Sequence, residues 1–457
     1  ISQLAQCVDI RAESVKELAQ YAHRNRIDLT VVGPEAPLAG GIVDEFRRRN
    51  LKIFGPTRAA SQLEWSKAFS KEFMRRHHIP TGSFRIYNDP TPAITFCRTA
   101  EYPLVIKADG LAAGKGVVVV DSFEEARKTI DLIMQRRCFG RAGTRIVIEE
   151  FLRGVEVSVM CLTDGERIWP LLPSQDHKRI GEGDTGPNTG GMGAYCPVAA
   201  VDSSMMGQIF ERVLKPCISG LAQEGTTYKG VLYAGLMLTE GGPKVLEFNC
   251  RFGDPETQAV LPLLKSDLAR IMLEIAKHTP PGESKGASKN RNKTSKKKAD
   301  KAVEKAPEGA GPVYLRDLIG EYEPGDESED EKSEQGPLSL EWAPGAAATI
   351  TLASANYPGK PLVGKKISGI ASRGIQAGSD GVVFHAGTKK INDVWVNSGG
   401  RALNVTGLGA DVPEALERAY EIVSKVSFDG MQFRRDIGHQ VTGRKASGVP
   451  EAPEPVE

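Results

Sequence analysis

The chain has 457 residues, of which 40% are hydrophobic and 26% charged, with a formal net charge of +1. That length accommodates about three domains of ordinary composition, and the near-neutral balance gives no reason to expect nucleic acid as a partner. No run of 18 or more apolar residues occurs, so no membrane span is expected.

The opening residues, Ile1-Ser2-Gln3-Leu4, carry neither an initiator Met nor the layout of a secretory signal, and read as the middle of a domain. From Arg11 to Asn50 the pattern is helix, strand, helix. Val15, Leu18, Ala19 and Ala22 recur at helical spacing, and Ile27 to Val32 predicts a short buried strand stopped by Gly33-Pro34. Leu51 to Pro56 repeats the device, which implies a parallel sheet with helices on its faces. The loop Gly33 to Leu38 then lies at the carboxyl end of a strand, a usual ligand position.

Residues Arg58 to His278 hold the dense motifs. Arg145 to Glu150 and Val155 to Val159 flank a Phe-Leu-Arg-Gly link that reads as a hairpin connection. Gly235 to Thr239 and Lys244 to Phe248 flank Glu240-Gly241-Gly242-Pro243, a second hairpin turn. From about Pro280 to Pro337 a Lys/Ser/Asn-rich stretch and then an acidic one have too little apolar content to fold alone. A disordered insertion is expected there, with Val313 to Ile319 as its one short helix. Strands resume at Ala347 to Ala353 and Gly381 to Ala386, followed by a helix from Pro413 to Val426 and a Pro/Glu tail from Ala446. The expected division is 1–57, 58–279 with a lid at about 100–170, the insertion 280–337, a C-terminal domain 338–440, and the tail or linker 441–457. Seven scattered cysteines without a Cys-x-x-Cys spacing predict reduced thiols and a cytoplasmic setting. The pair His77-His78 reads as part of a solvated helix.

Four segments carry chemistry. In Tyr102 to Val120 an apolar strand ends in Lys107, and a loop with Gly110, Gly114 and Gly116 precedes a second strand. Small residues permit close approach to a polyphosphate, while Lys107 and Lys115 supply charge. Gly116 after Lys115 excludes a Walker A loop. In Leu246 to Glu256, Glu247 and Asn249 project to one face of a strand while Leu246, Phe248 and Cys250 face the other way. Two adjacent oxygen donors suit magnesium, which takes few protein ligands beside phosphates and water. Arg251 reaches the same side only past a bend. The stretch Ser174 to Tyr195 is polar and glycine-rich yet lies between core segments, and Asp176, Lys178 and Arg179 mark it as a binding loop. Glu149-Glu150-Phe151-Leu152 offers backbone groups to a purine edge, with an acid nearby for ribose hydroxyls.

Taken in order, these segments resemble the glycinamide ribonucleotide synthetase family. Val31 to Leu38, Lys107 to Val118, Glu149 to Glu156, Gln175 to Tyr195 and Leu246 to Glu256 carry the likeness, and Gln175 to Tyr195 is its most specific piece. Tyr357-Pro358-Gly359, Phe384 to Thr388, Ser398 to Leu403 and Phe433 to Gly438 extend it. The resemblance implies an α/β and α+β multidomain chain: an ATP-grasp fold flanked by an N-terminal parallel α/β domain and a C-terminal α+β domain. It implies ATP phosphate contacts from Lys107, Lys115 and the loop glycines Gly110, Gly114 and Gly116. Glu149, Glu150, Phe151 and Leu152 would line adenine, with Glu156 near the ribose. Glu247 and Asn249 match the family's Mg2+ or Mn2+ ligands. Gly33, Pro34, Glu35, Asp176 and Lys178 fall in the substrate region, and Lys115, Arg251 and Asp254 at catalytic positions.

The expected reaction joins glycine to 5-phosphoribosylamine through glycyl phosphate in purine synthesis, with a lid around Gly110 to Gly116. Another carboxylate–amine ligase of the same superfamily and a non-catalytic nucleotide-binding protein are the alternatives. The family begins with a strand and a Gly-Gly-Arg-Glu-His turn, and this sequence starts after them, so an exposed sheet edge is expected. The Pro/Glu end permits fusion to later purine-pathway modules.

Overall fold

The computed structural model describes residues 5–111, 116–279, 339–370, 377–378 and 380–442. The expected insertion with its Val313 to Ile319 helix and the Pro/Glu tail from Ala446 lie outside them. No described helix is long and apolar enough to cross a membrane.

Near the start, helix Val15–Arg24 buries Ala19 and Ala22. Strand Thr30–Val31 pairs in parallel with Ile53–Phe54 across helices Glu35–Ala39 and Ile42–Arg48. The reading of Ile27 to Val32 as one buried strand needs correction. Only Thr30–Val31 is a strand, and Ile27 and Val31 are 39% and 43% exposed. The strand pairs on one side only among the described residues.

Two antiparallel four-stranded sheets follow. The first runs Phe84–Tyr87, Ile146–Glu150, Leu104–Ala108, Val117–Val120 in spatial order. Helices Pro90–Thr99 and Phe123–Ile130 pack with it around a core of its own, including Ala93, Cys97, Ile106, Ala126, Ile130 and Ile148. Asp89 and Ser122 cap those helices by accepting from the amides of Thr91 and Glu125. The second sheet runs Gly242–Asn249, Gly230–Thr239, Val155–Thr163, Ile168–Pro170. The strands on either side of Phe151 to Gly154 therefore belong to different sheets. That link is a crossing between layers, not the hairpin connection its sequence suggests. The lid expected at about 100–170 likewise takes in two strands, Val155–Thr163 and Ile168–Pro170, that belong to the second sheet. In the Glu240 to Pro243 hairpin, Gly242 and Pro243 already pair with Thr239 and Leu238, so the turn is Glu240-Gly241 alone.

A six-stranded sheet joins the distant halves of the chain: Ala377–Gly378, Gly381–His385, Arg401–Gly409, Ala346–Ala353, Gly193–Cys196 and Gln175–Asp176. Every residue of Ala346–Ala353 is buried, so the strand shows no polar alternation. Of its two polar side chains, Thr351 Oγ1 donates to Asn404 Oδ1 at 2.9 Å, while Thr349 Oγ1 is buried without a hydrogen-bond partner among the described residues. Helix Val412–Val423 covers this sheet with Val412, Ala415, Leu416, Ala419 and Val423. Backbone pairing of Gly193 with Ile350 and of Ala194 with Asp176 fixes the polar Gln175 to Tyr195 stretch to the C-terminal strands.

Candidate functional site

Lys107 sits near the end of its strand, with Nζ 3.0 Å from Glu149 Oε1. Lys71, on helix Lys67–Arg76, places its Nζ 2.8 Å from the other oxygen of the same carboxylate. All three groups are buried. Lys71 also donates to Thr81 Oγ1 at 2.7 Å, and Lys107 donates to the Leu246 carbonyl at 3.1 Å. Burial lowers the Lys71 ammonium to about 8, against the pull of Glu149. Two ammonium groups around one carboxylate leave a net positive charge in a poorly solvated place, suited to a polyanion. Sequence reasoning missed Lys71, which belongs to no motif. Its one local signal is its place on the helix face that also buries Ala68 and Met74.

The carbonyl that Lys107 holds exists because the next strand is bulged. Gly235 pairs with Glu247 and Leu236 with Val245, so Leu246 is the extra residue. The expected alternation fails there: Val245 and Phe248 are buried while Leu246 is only half-buried. Beyond the bulge Glu247 and Asn249 share a face. Burial alone would raise the Glu247 carboxyl, but Lys178, Lys67, Lys107 and Arg251 together hold it below the usual range. It accepts no hydrogen bond from a described residue. An ionised carboxylate with open lone pairs beside a carboxamide fits an oxygen-ligated divalent cation. No cluster of three or more His, Cys, Asp or Glu able to hold a metal occurs among the described residues.

Arg251 follows a bend, as required, and its Nε lies 3.5 Å from Glu35 and 3.4 Å from Glu64. The Gly33-Pro34-Glu35 loop is thereby brought to the strand that carries Glu247. Glu64, absent from the sequence reading, accepts from the Cys250 amide at 2.7 Å, and burial raises its carboxyl to about 7 against Arg251. Lys178 pairs with Glu156. Burial works against the Lys178 charge, but Glu156, Tyr233, Glu247 and Asp176 more than compensate and raise it. Burial and the neighbouring Glu256 raise Asp176, whose Oδ1 is buried without a hydrogen-bond partner. Glu256 in turn accepts from Tyr233 Oη at 2.5 Å.

The remaining expected residues are placed as follows. Asp254 binds Arg401 at 2.8 Å and accepts from Gln258 at 2.9 Å, tying it to the C-terminal sheet. Glu150 accepts from the Ser83 amide at 2.9 Å and pairs with Lys244 at 3.3 Å. Phe151 is 38% exposed and Leu152 half-buried, and neither backbone makes a hydrogen bond among the described residues. The Gly110 carbonyl accepts from Lys67 at 3.5 Å, and the Gly116 carbonyl from the Ala108 amide at 2.8 Å. Gly114 and Lys115 lie outside the described residues. The arrangement thus brings together Lys107, Glu149, Glu247, Asn249, Arg251, Glu35, Glu156, Lys178 and Asp176. It separates Glu149, committed to two lysines, from Glu150, committed to Ser83 and Lys244.

Comparison with known proteins gives the same ordering of parts. The phosphoribosylglycinamide synthetase N domain matches residues 1–64, its ATP-grasp (A) domain 65–257 and its C domain 347–440. A phosphoribosylamine–glycine ligase of Caldanaerobacter subterraneus subsp. tengcongensis is 42% identical over 437 residues, covering 96% of this chain and 90% of that protein. That of Escherichia coli K12 is 42% identical over 442 residues, with the same coverage. The crystal structure of phosphoribosylamine–glycine ligase from Thermotoga maritima superposes with a TM-score of 0.63 at 33% identity, over 84% of this chain and 81% of that one. The biotin carboxylase domain of Hydrogenobacter thermophilus 2-oxoglutarate carboxylase also gives 0.63, at 14% identity over 93% of this chain and 81% of that one, and shares the fold alone.

Proposed function

Because the chain belongs to the phosphoribosylglycinamide synthetase family, we infer that it is an ATP-dependent ligase that joins glycine to 5-phosphoribosylamine in purine biosynthesis. Glycine's carboxylate is a poor electrophile. Transfer of the ATP γ-phosphoryl group to it gives glycyl phosphate and ADP. The phosphoribosylamine nitrogen then attacks the carbonyl carbon, expelling phosphate and forming the amide of glycinamide ribonucleotide. Such transfers rest on positioning and charge stabilisation.

Lys107 and Lys115 neutralise phosphoryl oxygens beside Gly110, Gly114 and Gly116. Glu149 to Leu152 and Glu156 border the nucleoside. Glu35 with Gly33 and Pro34, together with Asp176 and Lys178, receives the other substrates, and Arg251 and Asp254 act near the reacting groups. ATP-grasp ligases use a divalent cation; Glu247 and Asn249 would hold it here, as Mg2+ or Mn2+. When bound it supplies charge neutralisation at the phosphates. The free thiols fit a cytoplasmic setting. We divide the chain functionally at 1–57, 58–279 and 338–440.

The observation that carries this reading is the ionised Glu247 carboxylate, without a hydrogen-bond donor among the described residues and under the charges of Lys178, Lys67, Lys107 and Arg251. Glycine-dependent phosphate release by Glu247→Ala tests it. Turnover is expected to fall by at least about 100-fold; near-normal turnover would end the assignment.

A further inference from the structure

The hairpin Arg179–Gly181 with Thr185–Asn188, which follows the segment of Asp176 and Lys178, has few ties of its own: Arg179 donates to the Gly186 carbonyl at 2.7 Å, Thr185 Oγ1 to the Glu182 carbonyl at 2.9 Å, and Ile180 packs against the main core. Its second strand is largely exposed and its register is irregular, and a lone two-stranded hairpin is marginal in water. What grips it comes from the other end of the chain. Arg434 is fully buried. Its Nε and Nη2 fork onto the Asp436 carboxylate, each at 2.8 Å, while Nη1 donates to Asp184 at 2.6 Å and to the Arg179 carbonyl at 3.2 Å. Asp436 accepts from the Gly183 amide at 2.8 Å, and Glu182 accepts from the Arg435 amide at 3.2 Å. The whole hairpin tip is thus bound by one C-terminal turn.

The same segment reaches the preceding strand from behind. His177 lies between Asp176 and Lys178, just past strand Gln175–Asp176, and is buried. There its Nε2 accepts from the Gly438 amide at 3.2 Å, and the Gln440 carboxamide lies 3.0 Å from the same nitrogen, where its NH2 group is the one able to donate. Burial and Arg434 keep this imidazole neutral, as an acceptor must be. A buried ion pair is seldom a net source of stability, its best-attested use being to fix register. The planar fork of Arg434 suits that use.

We propose that Arg434 is a positioning residue: by clamping the 179–188 hairpin to residues 434–440 it fixes the segment that presents Asp176 and Lys178 to the non-nucleotide substrates. The proposal rests on reading those two residues as substrate contacts.

Two variants of the full chain test it. Arg434→Lys keeps the charge and loses the fork. Asp184→Asn weakens the grip at a side chain 44% exposed and retains a residue type tolerant of the backbone φ of 53° there. For Asp184→Asn the KM for glycine or phosphoribosylamine should rise at least five-fold, with the ATP KM within two-fold and the thermal midpoint near that of the parent. Arg434→Lys should show the same split where it folds, and otherwise Asp184→Asn decides. Unchanged KM values in Asp184→Asn, or a fall in kcat alone through lost folded protein, would overturn the clamp. Asp176→Asn separates the two ideas. If it raises a substrate KM and Asp184→Asn does not, only the clamp fails. If Asp176→Asn also changes nothing, the site reading beneath it fails.

Discussion

The sheet that carries Lys107 and the hairpin that follows Lys178 belong to one site but are secured in opposite ways. The sheet from Phe84 to Glu150 has its own apolar core, distinct from the main one. It joins the rest through the chain entering at Phe84, the Phe151 to Gly154 link and polar ties that include the buried Lys71–Glu149 pair and the bond from Lys107 to the Leu246 carbonyl. Asp109 accepts from Ser66 Oγ and the Ala68 amide, each at 3.0 Å, and Glu150 pairs with Lys244. The 179–188 hairpin has no core and is bound by residues some 250 positions away. A unit with its own core can move as a body on weak ties. A unit without one stays where another segment puts it.

The first way to break this contrast is Lys107→Met. If the sheet's main contribution is to present that ammonium, kcat should fall about 10²–10³-fold. Lys71 remains to pair with Glu149, so the thermal midpoint should move little. A large fall in midpoint with unchanged turnover per folded molecule would instead make Lys107 a structural ion pair.

Gly154→Ala sharpens the contrast at the link itself. Gly154 has φ of 153°, and an added Cβ would fall 2.0 Å from the Leu238 carbonyl oxygen. Relief requires a backbone shift where the chain enters the second sheet, with a cost of about 2–3 kcal/mol. Chemical denaturation should show it. The ATP KM should rise while the glycine KM does not, the reverse of the pattern expected for Asp184→Asn.

The last effect is on stability alone and concerns Glu64, which touches neither unit. Its folded pKa of about 7 lies above the ordinary 4.5, so the folded protein holds this proton more tightly. That stabilisation is complete below about 4.5 and lost as pH rises through 7. It is on the order of 3 kcal/mol at most. Unfolding free energies measured from pH 4.5 to 7.5 should fall in the parent, and Glu64→Gln should flatten that slope.

Much of the site was legible in the sequence where the relation is local. The two strands expected on either side of the glycine loop appear as a ladder pairing Lys107 with Val117. Glu247 and Asn249 share a face because strand geometry repeats every two residues. Reading failed where a local pattern had two tertiary outcomes. Arg145 to Val159 looks like a hairpin whether its strands pair with each other or with two different sheets. The Leu246 bulge is invisible in a sequence whose alternation looks regular.

By itself, then, the sequence determined the paired strands on either side of the glycine-rich loop, the oxygen donors on one strand face, and the family, since these depend on residue type and short spacing. Only the tertiary structure decided that Lys71 and Lys107 share Glu149, that Glu64 and Glu35 meet Arg251, and that Arg434 grips Asp184. The reason is physical. A buried charge must find a partner, but which partner it finds depends on how distant segments pack, and no short-range pattern encodes that choice.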